Sequence, residues 1–208
     1  MNRPGAYLQA MAGHLVDLYR LALFNVSNPH SYSKFRTIKH VARRTDARAF
    51  VEAGTYRGVT AARCARIFDQ VFTVELDEKL AAAAAKYLDR WPNVTAIRGD
   101  ALVEVPAILA RPEVNNVIVF LDGHFSSGET AMGDLAEPAV EEIRLLGKYR
   151  QKIRGLIIDD FRGFGRWEGF PAKSELFAAL EKEFPEFDIT VHLDQVIVTP
   201  DNSRHASQ

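Results

Sequence analysis

Apolar and polar positions alternate in two different rhythms along this chain. Residues 7–24 are rich in apolar side chains at helical spacing, and a loop follows at Asn25-Val26-Ser27-Asn28-Pro29. A second helix is predicted over residues 32–44, with Phe35, Ile38 and Ala42 on one side and Arg36, Lys39 and Arg43 on another. From Ala47 onward, short apolar runs alternate with helical patterns. Ala49-Phe50-Val51-Glu52, Val71-Phe72-Thr73-Val74-Glu75, Val94-Thr95-Ala96-Ile97, Val117-Ile118-Val119-Phe120-Leu121-Asp122 and Gly155-Leu156-Ile157-Ile158-Asp159-Asp160 read as buried strands. Between them lie a helix carrying Ala61, Cys64, Ala65 and Phe68, a helix over residues 77–90, a short helix interrupted by Pro106, and one beginning near Pro138. A last helix carries Leu176, Phe177, Leu180 and Phe184, and residues 187–192 and 195–199 form a hairpin about Leu193-Asp194. The pattern predicts an α/β fold: a doubly wound, mostly parallel sheet with helices on both faces, closed by an antiparallel hairpin.

Composition narrows the class. With 208 residues and a formal charge of −1, the chain suits one globular domain and argues against a dedicated nucleic-acid binder. Lone Cys64 excludes an internal disulfide framework or a multi-cysteine zinc site. No run reaches a membrane span, and Asp17 and Arg20 interrupt the only N-terminal apolar stretch, so the expectation is a cytoplasmic protein with no membrane partner. The expected organisation is N-terminal helices over residues 1–46 covering one side of the site, a main domain over 47–200, and a polar tail over 201–208. Basic residues Lys34, Arg36, Lys39, Arg43, Arg44 and Arg48 read as the solvated face of an amphipathic helix. Aliphatic residues around Met11 are a candidate homodimer surface.

Ligands of such sheets bind beyond the carboxyl ends of the strands. There the predicted strands end in acids: Glu52, Glu75, Asp100 nearby, Asp122, Asp159 and Asp160. Each acid alone could cap a helix; an acid at every strand end points to a ligand. The loop Gly54-Thr55-Tyr56-Arg57-Gly58 spaces its glycines as Gly-x-x-x-Gly, which lacks the middle glycine of a pyrophosphate-binding loop. Glu75 follows Gly54 by roughly 20 positions, a spacing suited to holding a ribose diol, and Asp100 sits at the next strand end.

The runs Phe50-Val51-Glu52-Ala53-Gly54-Thr55-Tyr56-Arg57-Gly58, Val74-Glu75-Leu76-Asp77 and Arg98-Gly99-Asp100-Ala101 resemble the first three motifs of class I S-adenosylmethionine-dependent methyltransferases. The resemblance implies a Rossmann-like seven-stranded sheet. It assigns Glu52, Gly54, Tyr56 and Gly58 to the amino-acid end of the cofactor, Glu75 to the ribose, and Asp100 with Ala101 to the adenine. The segments Leu121-Asp122-Gly123-His124-Phe125 and Ile158-Asp159-Asp160-Phe161 are similar to divalent-metal O-methyltransferases of the macrolide-sugar and catechol types. That similarity implies Asp122, Asp159 and Asp160 as ligands of Mg²⁺ or another hard cation, with a small-molecule hydroxyl as acceptor. The catechol type has a lysine three residues after the first acid; Phe125 stands there, and His124 is the substitute base candidate beside Asp122. The glycine- and aromatic-rich run 161–171 reads as a lid over the acceptor. Competing readings are a metal-independent methyltransferase acting on nitrogen or a macromolecule, a nicotinamide-dependent oxidoreductase, and a non-catalytic nucleoside-binding protein.

Overall fold

Val117–Leu121, written VIVFL, is apolar at every position, and a strand of that kind is stable only when both its faces are covered. It forms β4, the middle of a seven-stranded sheet in the computed structural model. The structure describes residues 31–122 and 138–201, together with Leu15, Leu18, Tyr19, Ala22 and Leu23. Of the helix expected over residues 7–24, Leu15, Leu18, Tyr19 and Ala22 have helical backbone; its other positions, and Met11, lie outside the described residues.

The strands are β1 (Ala49–Ala53), β2 (Gln70–Glu75), β3 (Val94–Arg98), β4, β5 (Ile153–Ile158), β6 (Phe187–His192) and β7 (Gln195–Pro200). Their order is β3-β2-β1-β4-β5-β7-β6. The first five run parallel, and β7 is antiparallel to both β5 and β6. Strand order reverses between β1 and β4, so the crevice above their carboxyl ends is the switch point where ligands of doubly wound sheets bind.

The helices are α1 (Ser31–Thr45), α2 (Val59–Cys64), α3 (Glu78–Leu88), α4 (Ala101–Ala110), α5 (Ala139–Gly147) and α6 (Lys173–Glu183). On one face α1, α2 and α3 bury Ile38, Val41, Ala61, Ala84 and Leu88 against Phe50, Ile118, Phe120 and Ile157. On the other, α4, α5 and α6 bury Val105, Ile143, Leu146, Leu176 and Leu180 against Val51, Val119, Leu156 and Val196. Neighbouring strand residues thus divide between the two cores, as the period of two requires. No described helix is long and apolar enough to cross a membrane.

Two sequence expectations shift. Helix α4 runs unbroken through Pro106, although the ring removes one backbone bond; burial of Val105, Ile108 and Leu109 offsets that loss. Strand β5 begins at Ile153 and ends at Ile158, before the two acids. Gly155 therefore sits inside it, where a Cβ would lie 2.7 Å from Val41 Cγ1. The bare glycine is what lets α1 approach β5 so closely. Leu193 and Asp194, at φ of 46° and 68°, make the tight β6–β7 turn, the left-handed pair that a two-residue hairpin demands.

Candidate active site at the carboxyl edge of the sheet

Above β1 and β2, buried hydroxyls and carboxylates tie the first loop down. Thr73 Oγ1 donates to Glu52 Oε2 at 2.6 Å and lies 2.6 Å from Thr55 Oγ1. Burial pushes the Glu52 carboxyl up to about 8, against the Thr73 hydrogen bond that lowers it. Glu52 is therefore neutral near pH 7 and lies beneath the loop. Gly58 takes a left-handed φ of 73° at the start of α2, and a Cβ there would meet Leu88 Cδ1 at 3.0 Å.

Glu75 stands at the end of β2 with both carboxylate oxygens engaged. Oε2 accepts the Tyr56 N–H at 2.8 Å and Oε1 accepts the Asp77 N–H at 3.0 Å. Each oxygen keeps a lone pair, which suits a pair of vicinal hydroxyls. Gly54 N–H donates to Val74 O at 3.0 Å, binding the loop to β2. Tyr56 has a half-exposed ring with the Arg57 guanidinium 5.0 Å from its centroid. Asp100 has a local job: its carboxylate accepts the Leu102 N–H at 2.9 Å and caps α4, whose first residue is Ala101.

A second group of polar residues forms a row across β4, β5 and β7. Asp122 N–H donates to Ala53 O and Asp159 N–H to Leu121 O, so both acids continue the ladder just past their strands. Ile158 pairs with Val196, which sets Gln195 beside Asp159. The Gln195 amide is fully buried and has no hydrogen-bond partner among the described residues. Asp160 turns back through a left-handed φ of 54°. Asp122, Asp159 and Asp160 thereby each place one oxygen within 4.8 Å of the others. The convergence that the resemblance implied is present, because β5 stops before the pair and adjacent residues need not face opposite ways.

What lies among these acids is Lys34. Its Nζ donates to both oxygens of Asp122, at 3.1 and 2.9 Å, and forms an ion pair with Asp159 Oδ2. Burial works against its charge, yet Asp122 and Asp159 outweigh it and hold the ammonium protonated. Burial, with Asp122 beside it, pushes the Asp159 carboxyl well above the usual carboxylate range. Two carboxylates share one cation, and the deeper one, Asp159, is the harder to ionise. The solvated-face reading of Lys34 is thereby corrected. Lys34 precedes Ile38 by four residues and Val41 by seven, on the stripe that α1 buries. That phase was the available signal.

Asp160 has a partner too: Arg162 Nη1 is 2.8 Å from its Oδ1 and also pairs with Asp194 in the hairpin turn. A hard cation suits a set of carboxylates. With an ammonium inside the set and a guanidinium on its third member, these three do not fit one as folded. His124 and Phe125 lie outside the described residues.

The run 161–171 packs through its aromatic side chains. Phe164 is buried, Phe161 packs edge-on against Phe177, and Phe170 meets both Phe164 and Trp167 edge-on. Its aromatics pack mainly with one another and with α6, so the run forms an aromatic wall beside Asp160.

No family model matches the chain, and no curated protein does. Solved structures do match in fold. The O-methyltransferase TomG from Streptomyces achromogenes, in complex with SAM, superposes at a TM-score of 0.56 with 15% identity, covering 96% of this chain and 92% of that one. The SAH-bound Podospora anserina methyltransferase PaMTH1 gives 0.58 and 15%, covering 97% and 90%. SAM-bound CalS10, an amino pentose methyltransferase from Micromonospora echinaspora, gives 0.56 and 12%, covering 88% and 97%. The chain has the Rossmann-like fold of class I methyltransferases.

Proposed function

We propose that this chain is an S-adenosylmethionine-dependent methyltransferase that methylates a hydroxyl of a small molecule. Glu75 carries the reading. Its carboxylate, fixed by the Tyr56 and Asp77 amides, is presented at the strand end next to the β1–α2 loop, where a ribose diol would be held. The Gly54–Gly58 loop would face the amino-acid end, and Asp100 with Ala101 the adenine. Fold neighbours crystallised with SAM or SAH support the choice of cofactor.

The carboxylates at the switch point support oxygen as the acceptor. In the transfer, the acceptor oxygen forms a bond to the methyl carbon as the carbon–sulfur bond breaks. The bonding pair returns to sulfur, leaving the neutral thioether, and the hydroxyl proton passes to a carboxylate. Asp122 is the suited acceptor, since part of its side chain still reaches solvent. A nicotinamide reading has less to stand on, because the Gly54–Gly58 spacing lacks the middle glycine. With the Lys34 ammonium between Asp122 and Asp159, the transfer proceeds without divalent-metal assistance.

Calorimetric titration with S-adenosylmethionine, and with NAD in parallel, tests the reading. Micromolar binding of S-adenosylmethionine alone is expected, weakened at least tenfold in Glu75→Ala. No heat with S-adenosylmethionine would overturn it.

A further inference from the structure

Helix α1 and strand β5 meet in matched steps. On β5, Gly155 and Ile157 share the face beneath α1, and Asp159 follows one residue past the strand's end. On α1, Val41, Ile38 and Lys34 descend one stripe. Val41 sits over Gly155, and Ile38 and Ile157 share one buried cluster. From Val41 to Lys34 the helix rises ~10 Å, while the strand from Gly155 to Asp159 advances ~13 Å. The side chain of Lys34 covers the difference and ends on Asp159 and Asp122. Its position follows from the docking of the whole helix, and no surface lysine swinging inward is needed to explain it.

We propose that Lys34 is a tethered cation standing in the place of a dissociable divalent ion between Asp122 and Asp159, so that this site works without metal. The inference rests on the methyltransferase reading above and deepens it. The ammonium spans both oxygens of Asp122 and touches Asp159, which is the bridging position an ion would need. Arg162 occupies the remaining carboxylate, Asp160. Lys34 acts as a positioning residue: it holds Asp122 and Asp159 side by side as like charges that would otherwise repel, and keeps Asp122 aimed at the acceptor.

The test reads metal binding directly. Mn²⁺ is titrated into the wild-type protein, Lys34→Met, and Lys34→Met combined with Asp159→Asn, following the free-ion signal by electron paramagnetic resonance. Wild type is expected to bind no tighter than millimolar. Lys34→Met should gain a site at least tenfold tighter, and Asp159→Asn should remove that gain. If Lys34→Met does not fold, Lys34→Gln replaces it, keeping a hydrogen-bonding group but no charge, with the same expectation. Micromolar Mn²⁺ binding by wild type that Asp159→Asn abolishes would overturn the proposal, as would uncharged variants that gain no site. S-adenosylmethionine titrations of the same proteins keep the two readings apart, because a failure there strikes the cofactor assignment and leaves the metal result standing.

Discussion

Glu52 offers a perturbation whose size follows from its surroundings. Its carboxyl is 1% exposed, accepts from Thr73, and is raised by burial from an ordinary 4.5 to about 8. Below pH 4.5 both folded and unfolded chains carry the proton. Between 4.5 and about 8 the unfolded chain has lost it while the folded chain keeps it. Stability therefore falls as pH rises through that window, by about 1.4 kcal/mol per pH unit. Over the whole window the loss approaches roughly 5 kcal/mol as an upper bound. Glu52→Gln keeps the shape and a carbonyl to accept from Thr73, and removes the titration. Urea unfolding at pH 5 should place the variant within about 1 kcal/mol of wild type. At pH 8.5 the variant should be the more stable by several kcal/mol. Asp159 contributes a slope of the same sign in both proteins, so the difference between the two curves isolates Glu52. Parallel curves from pH 5 to 8.5 would refute a buried neutral Glu52.

Three further substitutions probe the frame. Gly155→Val drives a side chain into Val41 and should cost about 1–3 kcal/mol in urea unfolding. By lifting α1 it should also weaken the Lys34 contacts, read as an altered Lys34 ammonium resonance in NMR. Gly58→Ala places a side chain at φ 73° against Leu88; a loss of about 1–2 kcal/mol is expected, with weaker S-adenosylmethionine binding by calorimetry. Phe164→Ala empties the centre of the 161–171 wall and should cost about 3–5 kcal/mol, with faster protease cleavage in that run; an unchanged cleavage rate would refute a run held together by Phe164.

The sheet was readable because parallel strands buried on both faces must be almost wholly apolar, and an acid closing such a run marks the strand's end. Glu75, Asp122 and the Asp159-Asp160 pair were legible for that reason. Asp100 was legible as an acid that either caps a helix or meets a ligand, since both favour negative charge; the hydrogen bond to Leu102 N–H shows the cap. Lys34 was hidden by distance along the chain: 88 positions separate it from Asp122. A lysine beside Arg36 and Lys39 also looks like one more solvated charge until its phase on Ile38 and Val41 is counted. Gln195 gave no sign, because a single amide opening a strand does not reveal which neighbour buries it. For the run 161–171, composition showed the glycines and aromatics but not that the rings pack on one another and on α6.

The β6–β7 turn has a bearing on the order of events during folding. Asp194 accepts the Arg162 amide at 2.6 Å, its carbonyl accepts from Phe161, and β7 supplies the partner for the outer edge of β5. All of this arrives after β5 in the chain. A ribosome that has released β5 but not the hairpin exposes a long apolar edge, the kind that recruits other strands. In that interval Arg162 also lacks its Asp194 partner and Gln195 is not yet beside Asp159. The site is therefore a late product of folding, completed when β7 closes on β5, and a chain halted before Phe187 should aggregate rather than bind ligand weakly.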